Sequence, residues 1–433
     1  LSFSSEENVP KKAKAEVKGV DFQAVRALSA KERCALFAKA RAGNKKDYRV
    51  VDPNVAEERI PYGFVTLDDV CGLDGMPRRG RVIEIHGNEH SGKSTLTYGI
   101  VSAYQKFTGE PAVIFDFERT GDWNYLHKIG VDDGSCELIM PDSIQDAEKR
   151  TLEFMEGGVR LFVFDSIVRM REEVERKIVM DVKKSHKTTP GEHARAMECF
   201  FKNMLTPAAR YDCVFLMVNQ PRARIESTKD AQYAIKYPSF TNLPYILPGG
   251  KTCRFTPSVM IETMTHKAIR AGSEQEDAFL LEPGTGVKGD LQDFAATRIK
   301  VRILKNKTNG GGYREGSMYL RKGIGFDDNV TVRDLARDYG FISNVGKKWF
   351  VGKSAEEAIA GYPDQEAAID DLVIKQNPEV LAKLRVLVKE AVRNDETGRH
   401  IMEVDADTER YMTGLDDDSV ELPARAAFEV EED

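Results

Sequence analysis

Hydrophobic and polar positions alternate along the chain with two different periods. Short apolar runs read as buried strands: RVIEIH from Arg81, PAVIFDF from Pro111, CELIM from Cys136, RLFVFD from Arg160 and CVFLMVN from Cys213. Between them the spacing becomes helical. Leu96, Ile100 and Tyr104 share one face after Lys93, a short helix fits near Tyr125, and others start at Ser143 and Glu192. In the last of these, Met197, Phe200, Phe201 and Met204 form an apolar stripe beside Arg195, Glu198 and Lys202. Strands alternating with helices predict an α/β core, a mostly parallel sheet flanked by helices.

The segments RFTPSVMIETMT, TRIKVRILKNK and SMYLRK extend this pattern as a later antiparallel region. Beyond them, VRDLARDYG and PEVLAKLRVLVKEAV read as helices around a hairpin, FISNVGKKWFVG. At the other end, Ser29 and Glu32 have capping-box spacing ahead of a helix through Ala40 that stops at Gly43. The expected organisation is a helical region over 1–59, a core over 60–328, a small α+β domain over 329–400 and an acidic tail over 401–433. Two long core segments, 167–190 and 221–250, lack periodicity, and such loops usually carry function. A polar insertion occupies 264–296.

The 433 residues are 41% hydrophobic, enough for a substantial core, which excludes a disordered protein. No apolar run is long enough to span a bilayer and no signal-peptide pattern opens the chain, so a cytoplasmic location and no membrane partner are expected. Six cysteines, without a CxxC pair or a histidine cluster, argue against zinc and against a disulfide framework; buried thiols are expected. The net charge of −7 is uneven: Glu403 to Asp433 hold 12 acidic and 2 basic residues, a contribution of −10, so the rest is about +3.

The chemistry starts at GNEHSGKST. Gly87, four residues, then Gly92, Lys93 and Ser94 is the Walker A spacing, placed between a strand and a helix. Such a loop, Gly87, Glu89, His90, Ser91, Gly92, Lys93, Ser94 and Thr95, cradles phosphates with its amides; Lys93 reaches the terminal phosphates and Ser94 can ligate Mg²⁺. Asp165 ends LFVFD as a Walker B carboxylate that holds the magnesium shell would. Glu118 follows IFDF and could orient and deprotonate a water; Asp116, two residues earlier on the same side of the strand, competes for that role. Asn219-Gln220 ends CVFLMVN before the second loop, where an amide could sense a phosphate.

The two loops suit an unstacked polynucleotide. The stretch from Arg169 to Lys187 holds 7 basic and 4 acidic residues, including Lys183 and Lys184. Pro221 to Arg254 holds 6 basic and 2 acidic residues, Arg222 and Arg224 among them, interleaved with Tyr233, Tyr237, Phe240 and Tyr245. Cations neutralise phosphates while aromatic faces stack on bases.

With GNEHSGKST, FDFERTGDWNYLHKIGVD, LFVFDS, VFLMVNQPRARI, GGKTCRF and ILKNK in this order, the chain resembles the RecA family of recombinases, its bacterial and bacteriophage branch, from about Ile60 to Val392. The long C-terminal region also resembles phage recombinases of the UvsX kind. The resemblance implies an ATP- and Mg²⁺-dependent protein that forms helical filaments on single-stranded DNA and exchanges strands with double-stranded DNA. Its partners would be DNA, other copies of itself, and single-strand-binding and loader proteins; its place would be a bacterial or phage-infected cell.

Carried over by position, the resemblance makes Glu118 the catalytic carboxylate and Gln220 the γ-phosphate sensor, and puts Asp122 and Tyr125 beside the adenosine. Lys305 and Lys307 would act in trans on a neighbour's nucleotide, with Phe255 and the N-terminal helix at the protomer contact. Without the family these lysines read as an exposed strand end. Arg195, Lys202, Gly249, Gly250 and Lys251 would grip the DNA backbone. Departures are a long second loop, Lys251 in place of a polar amide, Glu198 on the presumed DNA face, Tyr319 one position off the expected second adenine aromatic, and residues 264–296. A ring-forming helicase and an ATP-regulated DNA-coating protein are the competing functions.

Overall fold

The structure is a computed structural model that describes residues 59–78, 80–170, 192–223, 243, 245–270, 294–308, 314–345, 348–354, 358–362 and 378–395. The expected N-terminal helix, Lys183, Lys184, Arg224 and the acidic tail lie outside the described residues. The chain divides between Ala56 and Glu57, and every described residue belongs to the second unit.

In chain order, β1 (Arg59–Ile60) pairs with β2 (Met76–Pro77) around a π-type turn, Thr66–Val70. Then come β3 (Arg81–Gly87), α1 (Lys93–Thr108), β4 (Ala112–Asp116), α2 (Trp123–Ile129), β5 (Cys136–Ile139), α3 (Ile144–Glu156), β6 (Leu161–Asp165), α4 (Glu192–Arg210) and β7 (Val214–Asn219). Next are β8 (Arg222–Ala223), β9 (Tyr245–Ile246), α5 (Gly250–Phe255), β10 (Val259–Arg270), β11 (Phe294–Asn306), β12 (Glu315–Arg321) and β13 (Gly325–Phe326). The last are α6 (Asp328–Asp338), β14 (Ile342–Val345), β15 (Lys348–Gly352), β16 (Ala358–Tyr362) and α7 (Pro378–Arg393).

One nine-stranded sheet runs β13-β12-β11-β10-β3-β7-β6-β4-β5. From β10 to β5 every pairing is parallel, and β11 to β13 add an antiparallel edge, as the hydrophobic pattern predicts. Strand alternation divides the core. Ile83 and Ile85 of β3 pack with Leu96, Ile100, Tyr104 and Leu126 on the α1–α2 side. Val82 faces the other way, into a cluster with Phe162, Phe164, Phe215 and the α4 stripe Met197, Phe200, Phe201 and Met204. Both faces of the central strands are therefore dry, which is why they read as continuous apolar runs. Capping sets the helix starts: Ser143 Oγ accepts from Asp146 N at 3.1 Å, and Asp122 Oδ1 from Asn124 N at 2.9 Å.

Two boundaries differ from the sequence reading. Residues 264–270 and 294–296, read above as part of a polar insertion, are paired strand: they form the far arms of the β10–β11 ladder, which continues to the Arg270–Phe294 pair across three register shifts. The first loop begins later than 167, because Ile167–Arg169 form a 3₁₀ turn and Ile167 and Met170 are buried in the core.

At the C-terminal end, β14–β16 form an antiparallel sheet, and α6 and α7 share an apolar cluster that also takes in Val65 and Val70. Ion pairs supplement it. Arg393 Nε lies 2.9 Å and Lys389 Nζ 3.7 Å from the buried Asp69 carboxylate, and Arg385 pairs with Asp328. Asp328 also accepts from Val65 N at 3.0 Å.

Candidate functional site

β3 delivers its last residue, Gly87, against β10. A Cβ at Gly87 would stand 2.2 Å from the carbonyl oxygen of Thr263, so the close approach requires glycine. Ser91 Oγ bonds the Asn88 carbonyl and the Thr263 hydroxyl, each at 2.8 Å, stitching the loop to β10. His90 and Gly92 turn through positive φ, 61° and 78°, and α1 starts at Lys93. Its first-turn amides have no intrahelical acceptors and form an anion-binding end. Lys93 Nζ folds back to donate to Asn88 O at 2.7 Å; burial lowers its pKa although Asp165, Glu118 and Glu89 oppose that shift. Thr95 Oγ1 and Tyr125 OH are 2.7 Å apart, which fixes α2 beside the loop.

The carboxylates take distinct roles. Asp165 is 4% exposed and receives hydrogen bonds from Tyr98 OH at 3.2 Å and from Ser94; burial pushes its carboxyl up to about 6. A desolvated carboxylate held by hydroxyls suits a hard cation, and the Ser94–Asp165 pair fits Mg²⁺, which is bound by few protein oxygens together with phosphate and water. Among the described residues no cluster of three metal-ligating side chains exists. Asp116 is consumed locally: it accepts from the amides of Glu118, Arg119 and Gly121 at 3.0, 2.8 and 2.6 Å, capping a turn in which Arg119 has φ 58°. Glu118 lies beyond the end of β4, exposed, and accepts from Ser166 Oγ at 2.6 Å. Of the two, Asp116 is thus occupied by the backbone and Glu118 keeps an exposed carboxylate.

The amides divide in the same way. Asn219 is fully buried and donates to Glu84 Oε1 at 3.1 Å and to Pro248 O at 3.3 Å. Gln220 reaches the phosphate loop instead, donating to Glu89 Oε1 at 3.0 Å. The second loop is closed at its base by pairing of β8 with β9, with Arg222 opposite Ile246. Gly249 and Gly250, φ 91° and 70°, let α5 lie on α4, since a Cβ on Gly250 would come within 2.7 Å of Ala194 Cβ. Arg195, Lys202 and Lys251 are exposed; Glu198 holds Lys202 at 2.6 Å. Tyr245 turns inward, bonding His86 and Glu262 rather than offering a stacking face.

Lys305 and Lys307 are not brought to the chain's own phosphate loop. Lys305 Nζ donates to the carbonyls of Arg254 and Phe255 at 3.1 and 2.9 Å, and Lys307 Nζ to Phe255 at 3.4 Å, at the C-terminal end of α5. Burial, then the charge of Lys307, lowers Lys305 to about 8. Lys305 pairs with Met260, and Met260 with Glu84, three residues short of Gly87 and two strands away. That is on the order of 10 Å along the strands and as much across them. Phe255 beside them is 53% exposed.

Tyr319 bonds Asp334 on α6. Its neighbour Leu320, with Phe326, covers Gly92: a Cβ there would be 3.1 and 2.9 Å from them. Phe326, Thr263, Tyr98, Ser166 and Glu84 are site-supporting residues absent from the sequence reading, because each reaches the site through a contact distant in the chain.

Five of the cysteines are described and all are free; Cys199 alone among them is exposed. No helix among the described residues is long and apolar enough to cross a membrane.

The family model of the RecA N-terminal domain matches residues 49–280. The chain is 28% identical to protein RecA of Acholeplasma laidlawii over 333 residues, 77% of this chain and 87% of that protein. It is 28% identical to protein RecA of Ruminococcus albus over 339 residues, 75% and 74% of the two chains, and to that of Francisella tularensis over 359 residues, 78% and 89%.

Proposed function

The chain belongs to the RecA family, and from that premise we propose that it is an ATP-dependent recombination protein that assembles on single-stranded DNA, hydrolyses ATP when stimulated by that DNA, and exchanges strands with a homologous duplex. The single observation that carries this reading is the bond from Gln220 to Glu89. It joins the phosphate loop to the first residue after β7, where the second basic loop departs, so a γ-phosphate competing for Gln220 changes the loop's anchorage.

In this reading the amides from Glu89 to Thr95 hold the triphosphate, Lys93 leaves Asn88 O for the terminal phosphates, and Asp122 and Tyr125 flank the adenosine. Ser94 and Asp165 would hold Mg²⁺, which supplies charge neutralisation on the β- and γ-phosphates. Glu118, oriented by Ser166, takes a proton from the attacking water. Lys305 and Lys307 point away from their own loop and serve a neighbour's nucleotide, stabilising transition-state charge as an arginine finger does, and Phe255 contributes to that protomer contact. DNA contacts are assigned to Arg195, Lys202, Arg222, Gly249, Gly250 and Lys251, with Lys183, Lys184 and Arg224 from the loops. The lysines and arginines fix the DNA backbone, and base pairing supplies the sequence recognition.

A joint-molecule assay tests this function: homologous duplex, ATP and Mg²⁺ should give a product that heterologous duplex does not. Equal yields from both would reduce the protein to a DNA coat, and unwinding without pairing would make it a helicase.

A further inference from the structure

Tyr245 marks the return of the second loop to the sheet. Its hydroxyl donates to Glu262 Oε1 at 2.7 Å and lies 3.1 Å from His86 Nε2, with the two rings edge to face at 5.8 Å. His86 is fully buried, and its Nδ1 is 3.6 Å from Glu84 Oε1, the oxygen that accepts from Asn219. Burial holds the imidazole neutral, down to about 3, and lifts Glu84 to about 8, so Glu84 keeps its proton near neutral pH. Glu262 is raised by burial too, while Arg302 at 3.7 Å and Lys300 oppose the shift, leaving it the natural acceptor. One donor order satisfies the middle of the chain: His86 Nε2–H to the phenol oxygen, and the phenol O–H to Glu262.

These residues sit where four functional segments meet. Glu84 and His86 lead directly into Gly87, Asn219 precedes Gln220, Tyr245 closes the second loop, and Glu262 precedes the Thr263 that backs the phosphate loop. We propose that Tyr245 is a positioning residue that registers the end of the second loop against the nucleotide strand, so that a change at Gln220 reaches the DNA-binding segment through Asn219, Glu84, His86 and Glu262. This rests on the DNA-dependent ATP hydrolysis proposed above. It departs from the stacking role that the aromatic composition of the loop suggests.

Tyr245→Phe separates the two, because it keeps the ring and removes only the hydroxyl. The expected result is a rise of about tenfold in the single-stranded DNA concentration that half-maximally stimulates hydrolysis, the size of one lost bond to a charged acceptor. ATP affinity and DNA-free hydrolysis stay within about twofold. Glu262→Gln retains an acceptor oxygen and should stay close to wild type, whereas Glu262→Ala should match Tyr245→Phe. Wild-type DNA dependence in Tyr245→Phe, or equal defects in both Glu262 variants, would overturn the role. Amide exchange on the protein alone supplies a readout that needs no DNA: Tyr245→Phe should accelerate exchange across 218–223, and unchanged rates there would refute the link. A wild-type chain whose hydrolysis ignores DNA would instead overturn the proposed function, leaving the exchange result to decide the link.

Discussion

Asp69, in the turn beneath the C-terminal module, and Asp165, at the phosphate-loop end of the sheet, are both buried carboxylates. Asp69 receives Arg393 and Lys389 from α7. The Asp165 carboxylate receives the hydroxyls of Tyr98 and Ser94; Lys93 is close enough to feel its charge, but its ammonium donates to the Asn88 carbonyl instead. Burying a carboxylate is costly unless a counter-charge meets it. Where the chain supplies that charge, the carboxylate fastens two pieces of structure. Where it supplies hydroxyls, the carboxylate has the surroundings that the proposed Mg²⁺ site requires. The same contrast separates Asn219 from Gln220 and Asp116 from Glu118: in each pair one residue is spent on backbone or core, and the other faces the phosphate loop or its surroundings.

The largest effect should come from the ligand side. Lys93→Ala should weaken nucleotide binding by on the order of 100-fold or more in a fluorescent-nucleotide titration. Its melting temperature should barely move, since among the described residues the Lys93 ammonium donates only to the Asn88 carbonyl. Lys305→Ala should leave ATP binding by the single chain intact and remove DNA-stimulated hydrolysis, by on the order of 10³. Equal loss of ATP binding in both variants would break the assignment of Lys305 to a neighbour's site.

The structural side should show the reverse. Replacing Arg393 and Lys389 by alanine strands the Asp69 charge. The loss, seen in urea unfolding, should be about 1–3 kcal/mol, below the full cost of breaking a buried pair because both cations are partly solvated. Nucleotide affinity should be unchanged.

The alternation of strands and helices, the phosphate loop and the α4 stripe are legible in the sequence because each follows from a local period or a fixed spacing. Other features depend on contacts distant in the chain. Tyr245 reads as one more loop aromatic until β10 and β3 are set beside it. Asp116 and Glu118 have the spacing of one strand face, but β4 ends at Asp116, and only the turn at Arg119 shows that Asp116 is spent on backbone amides while Glu118 stays exposed. Leu320 and Phe326 cover Gly92 because β12 folds back through β13, a pairing that no single segment encodes. The arms of the β10–β11 ladder hide in the sequence because its register shifts interrupt the period of two.

A smaller effect concerns Glu84. Its folded pKa, about 8, lies above the ordinary 4.5, so the folded state holds a proton that the unfolded chain releases. That contribution is complete below about pH 4.5 and is lost as pH rises through about 8. Glu84→Gln, which mimics the protonated acid, should flatten the decline of stability across this window; an unaltered slope would show that another group sets it. The smallest effect is at the proposed DNA face, where Glu198→Gln frees Lys202 and should tighten single-stranded DNA binding about twofold, with a steeper dependence on salt.

The most direct test of a nucleotide shared between two copies is electron cryomicroscopy of the full chain with single-stranded DNA and a non-hydrolysable ATP analogue. The expected image is a helical filament in which Lys305 and Lys307 have left the α5 carbonyls for the triphosphate of the adjacent subunit. A triphosphate enclosed within one chain, with both lysines still on Arg254 and Phe255, would contradict it.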